Sequence, residues 1–123
     1  MIAHRFDVMA NYAKSMQRAT ALEIAELRSR GHDYAPVKAI RKWWHRDEAV
    51  VPAQHRARIE EVLERSPALR TTWSMRQELT RIWERSTLST EQLVSQLKDW
   101  CERAEKSGVV PLVEFSHRLR SYA

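Results

Sequence analysis

The last third of the chain, residues 79–122, carries residues that begin and end helices at short intervals. Ser89 and Gln92 stand three positions apart, as in the capping box that begins a helix. Gly108 suits the end of that helix, and Pro111 suits the first turn of the next one. Apolar residues recur in this region every three or four positions, which is the helical period. The pattern predicts three helices joined by short breaks, and such helices pack antiparallel to one another.

Helix signals continue through the rest of the chain. An apolar periodicity without Pro or Gly runs from Ile2 to Arg28, and Gly31 is placed to end that long first helix. The other predicted helices run from a cap at Asp33 through Trp44, from Pro52 through Leu63, and from a cap at Ser66 to about Arg85.

Composition supports the same fold class. The chain holds only 2 Gly and 4 Pro, and it lacks the alternation of β-branched residues that strands show. The expectation is an all-α, single-domain bundle of five to six helices over residues 1–123, with a long N-terminal helix and antiparallel C-terminal helices. Because the periodicity starts at Ile2 without a cap, we interpret the chain as a C-terminal fragment of a longer protein.

Charge and cysteine content limit the partners and the compartment. The net charge of +5 and the pI of about 9.8 favour anionic partners, although 16 acidic residues lie among the 21 basic ones. The single Cys101 cannot form an internal disulfide, which fits a reducing compartment. No apolar run reaches the length of roughly 20 residues that a membrane span needs, and no signal-peptide pattern occurs. The expected location is cytoplasmic.

No constellation of residues predicts an active site. The histidines do not stand at metal-ligand spacing from one another, from Cys101 or from paired carboxylates. Cys101 falls on the apolar face of its helix, so it is interpreted as a buried structural thiol. Neither a metal nor another cofactor is expected in this chain. The histidines in question are His4, His32, His45, His55 and His117.

One segment has the composition of a binding surface. Within residues 28–46 there are six Lys or Arg and one acid, Asp33. Basic side chains interleaved with aromatic rings suit nucleic-acid backbones and bases, and they equally suit an anionic membrane interface. The plain alternative is an amphipathic helix with one Trp buried and its charges solvated. The candidate contact residues are Lys38, Arg41, Lys42, Trp43, Trp44 and Arg46.

Three stretches, residues 2–16, 66–86 and 83–123, together resemble the cytosolic C-terminal tail of bacterial acyl-CoA (fatty-acid) desaturases. The resemblance implies an accessory domain, non-catalytic in isolation, whose parent inner-membrane enzyme of lipid metabolism uses a di-iron centre. The histidine boxes that hold those irons have no match here. The implied partner is the catalytic membrane domain or the acidic membrane surface.

The same arrangement is similar to part of a bacterial insertion-sequence transposase family of the DDE type. The family's ending is matched by Trp100, Ala104, Ser107, Gly108, Val109, Leu112, Phe115 and Leu119. At the start, His4 stands where the family has a catalytic acid before the Arg-Phe pair. This resemblance implies a helical module that binds nucleic acid, without catalytic chemistry of its own.

Sequence reasoning therefore favours the desaturase domain and keeps two alternatives. One is the nucleic-acid-binding module of, or derived from, a transposase. The other is an oligomerisation domain in which the long N-terminal helix forms the seam of a homo-oligomer.

Overall fold

The computed structural model describes residues 5–84 and 87–121 of the chain. These residues form six α-helices and one short 3₁₀ turn, Glu48–Val50, and no β-strand. The prediction of an all-α bundle with a long N-terminal helix is confirmed. The helices are α1 (Arg5–Ser29), α2 (Ala35–Ile40), α3 (Ala53–Arg65), α4 (Pro67–Glu84), α5 (Thr90–Lys106) and α6 (Val110–Ser121).

The helix ends follow the capping residues. The backbone N–H of Gln92 donates to Ser89 Oγ, and the backbone N–H of Ser89 donates to the side-chain oxygen of Gln92. The predicted capping box of α5 is therefore confirmed. Ser66 Oγ accepts the N–H of Leu69 at the start of α4. After α1, Gly31 takes the left-handed conformation with φ 72°. Its N–H and that of His32 return to the last carbonyls of α1, which closes the helix.

The helices pack as two groups that share α4. The long α1 packs against α4 and α6, and α5 packs between α4 and α6. On the other side, α3 packs against α2 and α4, while α2 also contacts α1. The apolar stripe of α1, which was the predicted seam of a homo-oligomer, is buried within this arrangement. The oligomeric state stays a prediction.

An aromatic cluster joins α1, α5 and α6. The ring of Tyr12 lies edge-on to Trp100 and to Phe115, with centroid distances of 5.9 and 4.9 Å. Both polar atoms of the cluster are satisfied by α4: Tyr12 donates to the carbonyl of Thr72, and Trp100 Nε1 donates to that of Met75. Burial raises the pKa of Tyr12 well above its usual value, so the hydroxyl remains a donor.

The second predicted helix ends four residues early. We expected it to run through Trp44, but α2 stops at Ile40 and the chain continues in tight turns to residue 46. The helical bonds stop there because the Arg41 N–H donates to the carbonyl of Lys38, three residues back, and not to that of Val37. Gln17 Nε2 of α1 donates to the carbonyl of Arg41 at 2.8 Å within the turn that follows.

Some predicted features fall outside the described residues. These are the helix start at Ile2, the position of His4, the end of the fourth helix at Arg85 with Ser86, and Tyr122 at the end of the sixth helix.

Cys101 lies in the core, as predicted for a structural thiol. Only 2% of the residue is exposed, and its Sγ lies 3.9 Å from the carbonyl of Ser116. Burial raises the pKa of the thiol, which lowers the fraction of reactive thiolate. We expect Cys101 to react with an aromatic disulfide reagent at pH 8 only after urea has unfolded the protein. Rapid reaction in the native state would contradict this placement.

Candidate nucleic-acid interface

The positive charge of the protein is concentrated in one stretch, residues 28–46, called here the basic segment. Its six Lys or Arg and single acid give a net charge of +5, which equals that of the whole chain. The charges of the remaining residues therefore sum to zero. This concentration creates a local positive potential that a comparison of total acids and bases does not reveal.

Four cations of the basic segment differ in pairing from Arg30 of the same segment, which forms an ion pair with Glu26, and from three arginines elsewhere. Arg18, Arg103 and Arg120 each form an ion pair with a glutamate on a neighbouring helix. Within residues 5–84 and 87–121, no carboxylate pairs with Lys38, Arg41, Lys42 or Arg46. Their charges are available to an external anion.

Trp43 organises the cations around it. Its ring stacks on His55 of α3 with a centroid distance of 4.6 Å and an interplanar angle of 18°. The Arg46 guanidinium lies 5.1 Å from the Trp43 ring centre, and Lys42 Nζ lies 6.0 Å from it. Cation–π attraction of this kind limits the positions that the Arg46 head can take. The Arg46 Nε also donates to the carbonyl of Lys42, which fixes the side chain further.

Trp44 has a different role from its neighbour. It is 0% exposed and lies in the core, so its side chain cannot contact an external surface. Adjacent residues in a helical turn point in directions about 100° apart, which sends one indole inward and the other outward. Of the six predicted contact residues, Lys38, Arg41, Lys42, Trp43 and Arg46 remain at the surface or partly exposed.

A polar anchor from α1 holds this turn in place. Gln17 Nε2 lies 2.8 Å from the Arg41 carbonyl and 3.3 Å from His45 Nδ1. Burial lowers the pKa of His45, and the nearby charges of Arg46 and Arg76 lower it further. His45 is therefore neutral at pH 7 and adds no charge to the interface. Sequence reasoning missed Gln17 and His55, because both are brought to the segment by tertiary packing.

A groove opens beside the basic segment, between residues 43–51, α3 and α4. Its volume is about 340 Å³, and Trp43 and Arg46 belong both to the groove and to the basic segment. The apolar part of the lining comes from the core-facing residues Val51, Ile59 and Leu63, and from Trp73. The interface therefore combines a charged surface with an adjoining apolar recess.

Two other kinds of site are absent from the described parts of the chain. In residues 5–84 and 87–121, no three His, Cys, Asp or Glu side chains lie close enough to hold a metal ion. None of the helices described is both long and apolar enough to cross a membrane.

Comparison with known proteins gives two matches. A family model of DDE transposases of the ISL3 type, described as "Transposase", matches residues 1–123. The transposase for insertion sequence element IS1001 of Bordetella parapertussis is 28% identical over 120 residues, which cover 95% of this chain and 29% of that protein. The chain thus spans under a third of the length of this relative. No solved structure matches.

These matches correct the preferred interpretation of the sequence. The assignment to a fatty-acid desaturase of lipid metabolism is wrong, because the transposase family accounts for the whole chain. The expected contact with a desaturase membrane domain loses its basis with it. The resemblance to DDE transposases was the one carried by Trp100, Ala104, Leu112, Phe115 and Leu119, and all five are buried helix positions.

Proposed function

Because the chain belongs to the ISL3 family of DDE transposases, we propose that it is a helical part of a transposase that binds double-stranded DNA. One observation carries the proposal: the basic segment holds charge equal to the entire net charge of the chain, with four cations that no carboxylate neutralises among the described residues. Duplex DNA presents a dense row of phosphates, which such a surface neutralises with release of counterions.

The contact would be made by charge rather than by base recognition. Lys38, Arg41, Lys42 and Arg46 would pair with phosphate oxygens, and Trp43 would keep the Arg46 guanidinium oriented for them. Contacts of this kind position a protein on DNA without reading its sequence. In a full-length transposase acting in the cytoplasm, we propose that residues outside this chain perform the chemistry while this surface holds the DNA.

The direct test removes two cations and measures DNA affinity. In the double variant Lys42→Gln/Arg46→Gln, we expect the Kd for a 20-base-pair duplex to rise by about tenfold at low salt, since two charge-assisted contacts are lost. The slope of log K against log salt should become shallower by about 1.8, or roughly 0.9 per phosphate contact. Fluorescence anisotropy with labelled DNA at several salt concentrations gives both quantities.

A matched control removes the same charge elsewhere. Lys98 and Lys106 are exposed on α5, so Lys98→Gln/Lys106→Gln has the same net charge as the test variant. We expect this control to lose less than about twofold in affinity, because only long-range attraction changes. Equal losses in the two variants would contradict a contact at the basic segment. Absence of wild-type binding at low salt, or a preference for anionic lipid vesicles over DNA, would overturn the proposed function.

A further inference from the structure

The groove beside the basic segment has walls suited to a small flat ligand. It lies between residues 43–51, α3 and α4, and its volume of about 340 Å³ falls at the lower end of the roughly 300–1,000 Å³ typical of small-ligand sites. Aliphatic side chains form its apolar surface, and three indoles, those of Trp43, Trp44 and Trp73, belong to its lining. A site of this size suits one ring system with its substituents.

The charges around the groove favour a neutral occupant. Three arginines, Arg46, Arg56 and Arg70, are balanced by three glutamates, Glu48, Glu60 and Glu64. Arg70 is already engaged, because its guanidinium donates to the carbonyls of Leu63 and Glu64 at the end of α3. A phosphate would meet the glutamates as well as the arginines. A nucleobase is uncharged, and its edges offer both acceptors to arginine and donors to carboxylate.

Trp73 offers a ring face for stacking. Trp43, by contrast, already contacts His55, Arg46 and Lys42. Among the described residues, Trp73 has neither an aromatic nor a cationic partner over its ring, and it is only partly buried. Stacking of a base on an exposed aromatic ring strengthens binding and tolerates any base.

Trp44 belongs to the same lining but lies behind its surface. The residue is 0% exposed, yet its Nε1 has no acceptor within the described part of the protein. A buried N–H without a partner lowers stability by about 1–3 kcal/mol, and most buried N–H groups in proteins are paired. Trp100, the other completely buried indole, does have an acceptor in the carbonyl of Met75. Because Trp44 is enclosed by the protein, its Nε1 lies beyond the reach of a ligand in the groove, and Trp44 serves only as part of the groove wall.

From these observations we propose that the groove holds a single unpaired base of the DNA that the basic segment binds. The inference rests on the proposed function, and it adds a second subsite, the groove, with a base as its ligand. The two subsites are continuous through Trp43 and Arg46, so one DNA strand can contact the cations with its phosphates while one of its bases enters the groove. The base stacks on Trp73.

The test compares three duplexes of one sequence: fully paired, with one extra unpaired base at the centre, and with an abasic residue in place of that extra base. We expect the wild-type protein to bind the duplex with the extra base about tenfold more tightly than the other two. With 2-aminopurine as the extra base, binding should quench its fluorescence, because stacking on an indole quenches this probe.

Two substitutions at one position separate stacking from folding. Trp73→Leu should abolish both the tenfold preference and the quenching, while its affinity for the fully paired duplex stays within about twofold of wild type. Trp73→Phe keeps a ring and should retain much of both effects. Thermal unfolding followed by circular dichroism verifies that the variants are folded.

Each outcome has a distinct meaning. Equal wild-type affinity for all three duplexes overturns the base site and leaves the proposed DNA binding intact. Tighter binding of the abasic duplex to the same extent as the base-containing one also overturns it, since DNA flexibility would then be the cause. A dimer in light scattering that Trp73→Leu abolishes would assign the groove to a second copy and overturn the proposal. Failure to bind any duplex instead removes the proposed function itself.

Discussion

Replacing Trp100 with alanine is expected to lower the free energy of unfolding by about 3–5 kcal/mol, in line with deletion of a large buried aromatic side chain. The indole is 0% exposed and contacts the rings of Tyr12 and Phe115. Its loss leaves a cavity where α1, α4, α5 and α6 meet. Urea unfolding followed by far-ultraviolet circular dichroism measures the change, because the signal comes almost entirely from helices.

Two further substitutions calibrate that result. Trp100→Phe keeps an aromatic ring but removes the donor to the Met75 carbonyl, so an intermediate loss is expected. Leu22 is 48% exposed on α1, and Leu22→Ala should change stability by no more than about 0.5 kcal/mol. A loss below about 1 kcal/mol for Trp100→Ala would show that the aromatic cluster does not hold the helices together.

The second large effect is expected at Trp44. Trp44→Ala should destabilise the fold by about 3–5 kcal/mol, because this residue is completely buried beneath the basic segment. The same change at Trp43 should lower stability by less than about 1 kcal/mol, since that ring contributes stacking and cation–π contacts near the surface. Trp43→Ala should instead weaken DNA binding by releasing Arg46.

Parallel urea unfolding and DNA titration of the two variants test this division. The pair is its own control, because the residues are adjacent and the substitution is identical. Similar stability losses at the two positions would contradict the assignment of one indole to the core and the other to the interface. A fully stable Trp44→Ala variant would contradict it most directly.

The helical architecture was predictable because its signals are local. Ser66, Ser89 and Gly31 act on backbone groups within a few residues, so their sequence positions alone indicate where helices begin or end. The early end of α2 was not predictable in this way. The turn that follows it contacts Gln17, which is 24 residues away from the carbonyl that it binds. Thr72 and Met75 were also missed as contacts, because they act through main-chain carbonyls, whose partners depend on packing.

The candidate site was predictable in composition but not in geometry. The count of cations and rings singled out one segment as a candidate surface, and that role stays a proposal. The sequence could not show which of Trp43 and Trp44 faces the core, because that depends on the direction of the turn. It also could not reveal the groove, whose lining comes from the segment, α3 and α4 together. Of the two family resemblances, the family model supports the one to transposases and contradicts the one to desaturases.

The packing of α1 against α6 has a consequence for synthesis of the protein. Tyr12 contacts Phe115, and Arg118 donates to Ser15 across 103 residues of chain. On the ribosome, α1 is made before the other five helices described here, and α6 is made after them. The part of the apolar stripe of α1 that faces α6 therefore stays uncovered until α6 has emerged. Until α6 has been made, this apolar surface can bind chaperones or aggregate.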